Sequence, residues 1–462
     1  MTTPTSTGTA TGAYPRRWLA LALLGAAQFM LILDVTVVAI ALPQMEADLS
    51  LSREALTWVV AAYTVAFGGL MLLGGRSADL FGAKPIVYTG LTVFVLGSLA
   101  AGLADSATFL LAGRITQGVG AAMLSPAALS VVVRLFEGDE RNRALGIWSA
   151  LGGGGAAVGV LLGGLITVGP GWPWVFFINV PIGAIVLIGL LRVLPPLPPQ
   201  PGTRPRLDVL GTTLVTAATG LAIYSLTTAG EAGWTAPMTL LTAGIAVVLY
   251  VLFGWWQRTT VSPLMNLSLL GRRPVWAGVF VLGIATALMV AVFFLGTFYF
   301  QQFAGHSPLV TGLLFLPIAV ATMVGAQLAG RLVGKLGARK LGATGMIVGA
   351  AGLMVPALIP TTLTTTIGIS FGALGIGMLF VVASITALGQ VAPEEAGIAS
   401  GLLSTFHEFG ASIGVATVSS IAAASLTTGG DAGFKQAFLA IAIAALGATV
   451  IAAIAIPGRP RN

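Results

Sequence analysis

Long apolar runs separated by short polar loops make up almost the whole chain. Each run holds about 20 residues or more, the length that an α-helix needs to cross the hydrocarbon core of a bilayer. Glycine and proline near residues 170–183 interrupt the sixth run and predict a broken helix there. The pattern predicts an all-α integral membrane protein with fourteen transmembrane helices. They lie near residues 17–43, 55–75, 85–104, 108–133, 144–168, 173–194, 208–228, 236–257, 274–302, 308–332, 341–360, 364–390, 396–425 and 434–456.

Basic residues lie almost entirely in every second loop and at the two chain ends. Of the 22 lysines and arginines, only Arg53, Arg114 and Lys435 lie elsewhere. Cytoplasmic loops of membrane proteins are enriched in lysine and arginine, so the distribution predicts that both termini are cytoplasmic. A bias toward Ala, Gly, Pro and Arg indicates a GC-rich bacterium, and we expect its plasma membrane as the location. The basic residues on this side are Arg16, Arg17, Arg76, Lys84, Arg134, Arg141, Arg143, Arg192, Arg204, Arg206, Arg258, Arg272, Arg273, Arg331, Lys335, Arg339, Lys340, Arg459 and Arg461.

Composition narrows the function. Only 8% of the residues are charged, against roughly 25% in a soluble domain. The absence of cysteine excludes disulfides and thiolate chemistry. His306 and His407 are about a hundred residues apart, so we expect no zinc or other metal site. The net charge of +7 comes from the cytoplasmic loops, so the expected partner is the lipid bilayer and not nucleic acid.

The charged residues before the first apolar run resemble the N-terminal flank of a signal peptide. The run itself is longer than the roughly 7–15 apolar residues of a signal peptide, so we expect a retained first helix. Secretion of a mature domain is the alternative.

An internal repeat relates two cytoplasmic loops. "GRSADLFGAKPIVYTGLTV" from Gly75 and "GRLVGKLGARKLGATGMIV" from Gly330 share seven of nineteen positions at an offset of 255 residues. Transporter repeats are commonly halves of six helices, so an offset of eight helices indicates two extra helices between the halves. Chance similarity of two Gly- and Ala-rich helices is the alternative. The predicted division is a disordered cytoplasmic tail (1–16), an N-terminal half (17–194), a Pro-rich cytoplasmic linker (195–207), two additional helices (208–257), a C-terminal half (258–456) and a cytoplasmic tail (457–462).

Six motifs occur in order at matching spans. They are "LDVTVVAIALP", "GGRSADLFGAKP", "RITQGVGAA", "GAAVGVLLGG", "WPWVFFINVPIG" and "FYFQQFAGHSPLVTGLLFLP". With them the chain resembles the major facilitator superfamily, and within it the fourteen-helix drug:proton antiporters of the multidrug-efflux and antibiotic-resistance type, from about residue 17 to 456.

The resemblance implies roles for three of these motifs. Arg114, in the fourth span, is expected to transfer protons or to hold a carboxylate. Its alternative is an arginine that reaches the membrane surface with its charged head. The loop motif with Gly75, Asp79, Gly82 and Lys84 is expected to gate the transporter, and the motif with Gly155, Gly159, Gly163 and Gly164 is the one associated with antiporters.

Asp34 is the leading candidate for the chemistry. Only Asp34 and Glu408, of the 15 acidic residues, lie well inside predicted spans. Ionisable groups inside membranes are rare and commonly mark ion or proton pathways; a structural carboxylate paired with an arginine is the alternative. A carboxylate in a low-dielectric cavity favours its neutral form, so it can take up a proton, and once ionised it attracts a cation. Competition for this one charge would couple export to proton entry.

Other polar residues in the spans are weaker candidates. His407 beside Glu408 would add a second proton site, and a pair reached by water near the cytoplasmic end is the alternative. Tyr299 and Gln302 are candidate substrate contacts within an aromatic run that otherwise faces lipid or packs. Gln28 and Gln117 are candidate cavity residues or interhelical hydrogen bonds.

The predicted function is export of hydrophobic, often cationic drugs or natural products in exchange for protons by alternating access. Because Val160 stands where the family's antiporter motif usually has proline, a proton-coupled symporter or facilitator of a metabolite is the alternative. A membrane-embedded enzyme is less favoured, since the spans lack clustered aspartates for a metal–diphosphate site. "GGGG" at residues 152–155 lacks the Lys–Ser/Thr of a phosphate loop. We therefore expect no cofactor, the proton gradient as energy source, and a monomer whose two halves enclose the pathway.

Overall fold

The computed structural model describes residues 14–196, 208–261, 263–265, 267–389, 391–392, 395–428 and 432–456. Within these ranges the regular secondary structure is helical throughout, which confirms the all-α class. The predicted tails at 1–13 and 457–462 and residues 197–207 of the predicted linker lie outside the described ranges. The helices are α1 (Arg17–Leu49), α2 (Arg53–Phe81), α3 (Ala83–Gly102), α4 (Ala107–Leu135), α5 (Gly138–Val168), α6 (Trp174–Phe177), α7 (Asn179–Val193), α8 (Val209–Ala232), α9 (Pro237–Thr259), α10 (Ser268–Gly271), α11 (Arg273–Phe298) with a π-helical turn (Tyr299–Phe303), α12 (Pro308–Leu336), α13 (Ala338–Leu358), α14 (Thr362–Leu388), α15 (Ala396–Thr428) and α16 (Ala432–Ala455).

Twelve helical segments of the described residues are long and apolar enough to cross a membrane. They coincide with twelve of the predicted spans, so the chain is a multi-pass membrane protein. The other two predicted spans, 144–168 and 396–425, fall on α5 and α15, which have 31 and 33 residues. These two helices are not among the twelve, and the total of fourteen spans stays a prediction.

One helix boundary differs from the predicted one, and the predicted break in the sixth span is confirmed. Helix α1 continues past Pro43 to Leu49, because the chain turns only at Ser50, whose left-handed φ of 49° ends the helix. The sixth span is divided at Ile178 into α6 and α7. Pro181, which lacks a backbone N–H, lies in the first turn of α7, where its missing donor costs least. The break therefore falls inside the region in which the sequence predicts it.

The long helices pack as two groups that meet along two seams. Helices α1 to α7 contact one another, as do α11 to α16, and the main contacts between the groups are α2 against α15 and α5 against α12. Glycine lets the backbones approach: a Cβ on Gly75 would lie 2.2 Å from the carbonyl oxygen of Gly397. On the other seam, a Cβ on Gly146 would lie 3.5 Å from the Cα of Gly330. Small residues are a common means by which membrane helices associate closely.

The hairpin of α8 and α9 lies beside the first seam. Helix α8 contacts both α2 and α15, so it packs against one helix from each group. The Asp208 side chain accepts a hydrogen bond from the backbone N–H of Gly211 (2.8 Å) and thereby caps α8. The same carboxylate accepts from Trp256 Nε1 (2.8 Å) and Gln257 Nε2 (2.6 Å), which ties the end of α9 to the start of α8.

Basic loops from distant parts of the chain meet at one end of the bundle, which we call the basic end. Arg17 donates two hydrogen bonds of 2.9 Å to Glu140, and this contact lowers the pKa of the Glu140 carboxyl. Lys84 Nζ donates to the carbonyl of Leu194 (2.7 Å). The structure thus places loops that the charge pattern assigns to one side at the same end, while the orientation of that end toward the cytoplasm stays a prediction.

Candidate functional site

Asp34 lies in the middle of α1 and is 1% exposed. Its Oδ2 is 2.5 Å from Arg114 Nη1. Its Oδ1 accepts hydrogen bonds from Gln117 Nε2 (2.9 Å) and Asn179 Nδ2 (3.1 Å). A buried ion pair is tolerated only when further hydrogen bonds satisfy its remaining polar atoms, and here donors from α4 and α7 do so.

Arg114 is also buried, with 1% exposure. Its Nε donates to the carbonyl of Val59 on α2 (2.9 Å), and its Nη1 donates to Gln117 Oε1 (2.8 Å). The guanidinium lies 4.5 Å from the ring centroid of Tyr63, a distance at which a cation–π contact stabilises the charge. The alternative that Arg114 reaches the membrane surface is therefore wrong: the side chain turns inward and links α1, α2 and α4.

The cluster contains residues that the sequence did not point to. Ser98 Oγ on α3 accepts from Gln117 Nε2 (2.7 Å) and Asn179 Nδ2 (3.3 Å), so it joins the two amides that hold Asp34. Asn179 lies in the motif "WPWVFFINVPIG", which the sequence marks only by its resemblance to the family and not as a candidate site. In the sequence, Ser98 and Tyr63 are distinguished only as uncharged polar residues in apolar helices.

Two glycines bring the helices of this cluster close enough for these bonds. A Cβ on Gly97 of α3 would lie 2.6 Å from the backbone nitrogen of Gln117 on α4. A Cβ on Gly118 of α4 would lie 2.7 Å from the carbonyl oxygen of Tyr63 on α2. Any larger residue at either position would push apart the helices that carry the polar side chains.

The antiporter motif packs against the helix that carries Asp34. A Cβ on Gly155 would lie 2.6 Å from Ile32 Cγ2, and one on Gly159 would lie 1.7 Å from Thr36 Oγ1. Ile32 and Thr36 flank Asp34 at two residues on each side, so α5 touches α1 on both sides of the carboxylate. Gly163 and Gly164 continue the motif along α5.

Glu408 and His407 lie on α15, away from the hydrogen bonds around Asp34. Glu408 Oε1 is 3.3 Å from His407 Nδ1, and the two side chains are 13% and 41% exposed. A Cβ on Gly68 of α2 would lie 3.5 Å from Glu408 Cβ. Glu408 therefore sits at the seam between the two helix groups, near the middle of α15.

The candidate substrate contact Tyr299 lies in a separate aromatic group. The Tyr299 hydroxyl donates to the carbonyl of Pro360 (2.6 Å), and its ring packs on Phe303 and Phe434. The Gln302 side chain lies outside the described part of the chain. Gln28 lies on α1 six residues before Asp34, and its Oε1 is buried without a hydrogen-bond partner among the described residues. Substrate contact by these residues stays a prediction.

The loop motif closes the basic end across the first seam. Asp79 accepts hydrogen bonds of 2.8 Å from the backbone N–H groups of Gly397 and Ile398 at the start of α15. A helix N-terminus favours a negative charge, and Arg134 adds an ion pair at 3.2 Å. Gly82, with φ of 92°, makes the turn into α3 that residues with a side chain rarely adopt. Its repeat equivalent, Gly337, has φ of 84°.

Comparison with known proteins agrees with this architecture. A family model described as Major Facilitator Superfamily matches residues 24–415. The puromycin resistance protein pur8 of Streptomyces alboniger is 37% identical over 426 residues, which cover 90% of this chain and 84% of that protein. The cephamycin export protein CmcT of Amycolatopsis lactamdurans is 36% identical over 446 residues, covering 94% and 91%. The multidrug resistance protein Stp of Mycobacterium tuberculosis H37Rv is 33% identical over 413 residues, covering 87% and 75%.

Solved structures share the fold at low sequence identity. The human organic anion transporter MFSD10 superposes with a TM-score of 0.70 at 13% identity, covering 96% of this chain and 100% of that one. The proton:xylose symporter XylE superposes with a TM-score of 0.68 at 13% identity, covering 96% of each chain.

Proposed function

Because this chain belongs to the Major Facilitator Superfamily, and is thus a membrane transporter and not an enzyme, we propose that it exports hydrophobic, often cationic drugs or natural products in exchange for protons. Three relatives with matches over most of both chains are named for puromycin resistance, cephamycin export and multidrug resistance. These names support a drug as the substrate and export as the direction of transport.

The observation that carries the proton coupling is the buried Asp34–Arg114 pair. Every described donor to the Asp34 carboxylate comes from another helix, so its charge holds α1, α4 and α7 together. A proton on Asp34 removes that charge and weakens its bond to Arg114. Proton uptake would therefore change how these helices pack, and a cationic substrate would compete with the proton for the same negative charge.

Alternating access is supported by the way the two helix groups meet. At the basic end the two groups touch through glycine backbones and through the hydrogen bonds from Asp79 to α15. These noncovalent contacts can break and form again when the groups move relative to each other. Transporters with two repeated halves commonly rock around a site near the bilayer midplane, and Asp34 and Glu408 lie near the middle of α1 and α15.

The test is dye and drug efflux in a pump-deficient bacterial host that expresses the chain. We expect wild type to raise resistance to puromycin and to lower the accumulation of ethidium, a flat lipophilic cation. Asp34→Asn should abolish both effects, because the amide keeps the shape of the carboxyl but cannot bind a proton. Asp105→Asn, in the exposed loop between α3 and α4, is the matched control and should transport like wild type.

A protonophore should stop wild-type efflux within the time of the assay. Efflux that continues without a proton gradient, or an Asp34→Asn variant that exports normally, contradicts the proposal. Energy-dependent accumulation of the test compounds inside cells would instead favour the symporter.

A further inference from the structure

A groove runs along α12 on a face of the helix that the other described helices leave exposed. Its residues recur after three or four positions, so they share one face of the helix. The groove has a volume of about 420 Å³, and most of its side chains are exposed and apolar. In a membrane protein such a face meets lipid. The lining residues are Val320, Met323, Val324, Gln327, Leu328 and Arg331.

The polar groups of this groove follow a fixed order from the basic end inward. Arg331 comes first, Gln327 lies one turn deeper, at about 6 Å along the helix axis, and apolar side chains continue to Val320. From Arg331 to Val320 the groove measures about 16 Å, close to half of a hydrocarbon core of about 30 Å. A phospholipid presents its groups in the same order across one leaflet: a phosphate, then ester carbonyls, then acyl chains.

A cluster of cations surrounds the polar end of the groove. It lies at the end of α12 and the start of α13, and all of its members are exposed: Arg331, Lys335, Arg339 and Lys340. Within the described part of the chain, no carboxylate forms an ion pair with any of the four. Other arginines of the basic end, Arg17, Arg134 and Arg272, do pair with carboxylates. The positive charge of this cluster is therefore available to an anion from outside the chain.

The internal repeat shows how this excess charge arises. Asp79 of the first copy corresponds to Gly334 of the second, at the same offset of 255 residues. A Cβ on Gly334 would lie 3.2 Å from Asp139 Oδ1 on α5, so an acidic side chain there would meet another carboxylate. The second copy thus keeps its basic residues and lacks the acid that compensates Arg134 in the first.

A second groove in the described chain has the character of an ordinary lipid-facing surface. It lies between α2 and α4, has a volume of about 280 Å³ and is lined by Trp58 and five aliphatic side chains. No charged residue and no amide is among them. Acyl chains of any lipid can fill such a surface, whereas the α12 groove adds a cation and an amide at the depth of a headgroup.

We propose that the α12 groove binds an anionic phospholipid from the leaflet at the basic end. The lipid phosphate binds Arg331 and Lys335, which lie one turn apart on the same face of the helix. An ester carbonyl accepts a hydrogen bond from the Gln327 amide, and one acyl chain lies along Val324 and Val320. Basic clusters directly beside a transmembrane helix attract anionic lipids. This binding site is independent of the proton exchange proposed above.

The experiment is native mass spectrometry of the delipidated, purified full chain with two lipids that share the same acyl chains. Wild type should hold dioleoylphosphatidylglycerol at least fivefold more tightly than dioleoylphosphatidylcholine, because only the former carries a net negative charge. In the double variant Arg331→Gln/Lys335→Gln, the two affinities should differ by less than twofold, since the cations that select the anionic headgroup are gone.

Matched variants separate the groove from the overall charge of the basic end. Arg192→Gln/Arg258→Gln removes two other exposed cations from the same end and should keep the preference. Val324→Trp fills the groove with an indole, leaves the cations in place and should weaken phosphatidylglycerol binding severalfold. Val247→Trp, at an exposed position of α9, should bind like wild type. All of these side chains are exposed, so the unfolding midpoints without lipid should match that of wild type.

Three outcomes would overturn the proposal. One is a wild type that holds both lipids equally, and another is an Arg331→Gln/Lys335→Gln variant that keeps the preference. The third is an equal loss in Arg192→Gln/Arg258→Gln, which would mean that summed charge and not this groove selects the lipid. Millimolar glycerol 3-phosphate should not displace the bound lipid, because it has no acyl chain; complete displacement would replace the lipid site by a simple anion site.

Discussion

At the residue scale, the central feature is an ion pair that the membrane interior makes costly. Replacing a buried ion pair by apolar residues is often neutral or stabilising, whereas removal of one partner leaves an uncompensated charge. Stability alone is thus a poor explanation of the Asp34–Arg114 pair, which fits the change of protonation proposed above. Gln117 and Asn179 then donate to the carboxylate while it is charged, and Ser98 accepts a hydrogen bond from each of these two amides.

This view predicts non-additive effects on stability. Arg114→Gln leaves the Asp34 carboxylate buried without its cation and should destabilise the protein by about 3–5 kcal/mol. Addition of Asp34→Asn removes the lone charge, so the double variant should unfold at a higher temperature than Arg114→Gln alone. Thermal unfolding of detergent-solubilised protein measures both. If the two substitutions lower the midpoint additively, the pair is not coupled in the way that the structure indicates.

At the element scale, glycine decides how closely α5 lies against the helix that carries Asp34. The contacts of Gly155 and Gly159 fall on Ile32 and Thr36, so the antiporter motif shapes the surroundings of the carboxylate without contributing a polar group. A motif of small residues can therefore influence proton coupling through backbone distance alone.

Gly159→Ala tests this role. The added Cβ would lie 1.7 Å from Thr36 Oγ1, which must move, and α1 must shift with it. We expect at least a fivefold loss of ethidium efflux. Gly244→Ala on α9 adds the same methyl group where no heavy atom lies within 4 Å, and it should transport like wild type. Alanine favours the helix over glycine by up to about 1 kcal/mol at either site, so the Gly244→Ala control accounts for this effect. Normal efflux by the Gly159→Ala variant would show that the close approach of α5 is dispensable.

At the scale of the whole molecule, the two helix groups are locked together at the basic end. Asp79 reaches from α2 across the seam to the first N–H groups of α15, and Arg134 completes its charge compensation. The acid and its helix-terminus partners lie more than 300 residues apart in sequence, at separations of 318 and 319 residues. Opening of this end requires all these contacts to break together.

Asp79→Ala should therefore make the basic end open more often. Because the chain has no cysteine, single cysteines report the opening. Ser400→Cys replaces a fully buried residue between Gly397 and Gly401, both of which touch α2. Its labelling by a membrane-permeant thiol reagent should speed up severalfold when Asp79→Ala is added. Ser130→Cys, buried within α4, should label slowly in both backgrounds; equal Ser400→Cys rates with and without Asp79 would mean that Asp79 does not hold the seam.

The residues Asp34, Arg114 and Gln117 could be singled out from the sequence because a lone polar or charged group in an apolar run is visible locally. The same reason made it possible to predict the helices, the common end of the basic loops and the family. Apolar length, loop charge and motif order are all properties of short stretches of sequence. The break in the sixth span was also local, as Gly and Pro mark it.

Only the tertiary structure decided which polar residues meet. Asp34 is joined to residues 80, 83 and 145 positions away, and the choice of Asn179 and Ser98 over Tyr299 depends on how α1, α3, α4 and α7 cross. The inward turn of Arg114 likewise follows from helix packing. A hydrogen bond requires two groups within about 3 Å of each other, and that distance is set by the glycines at the helix crossings and not by the spacing of polar residues along the chain.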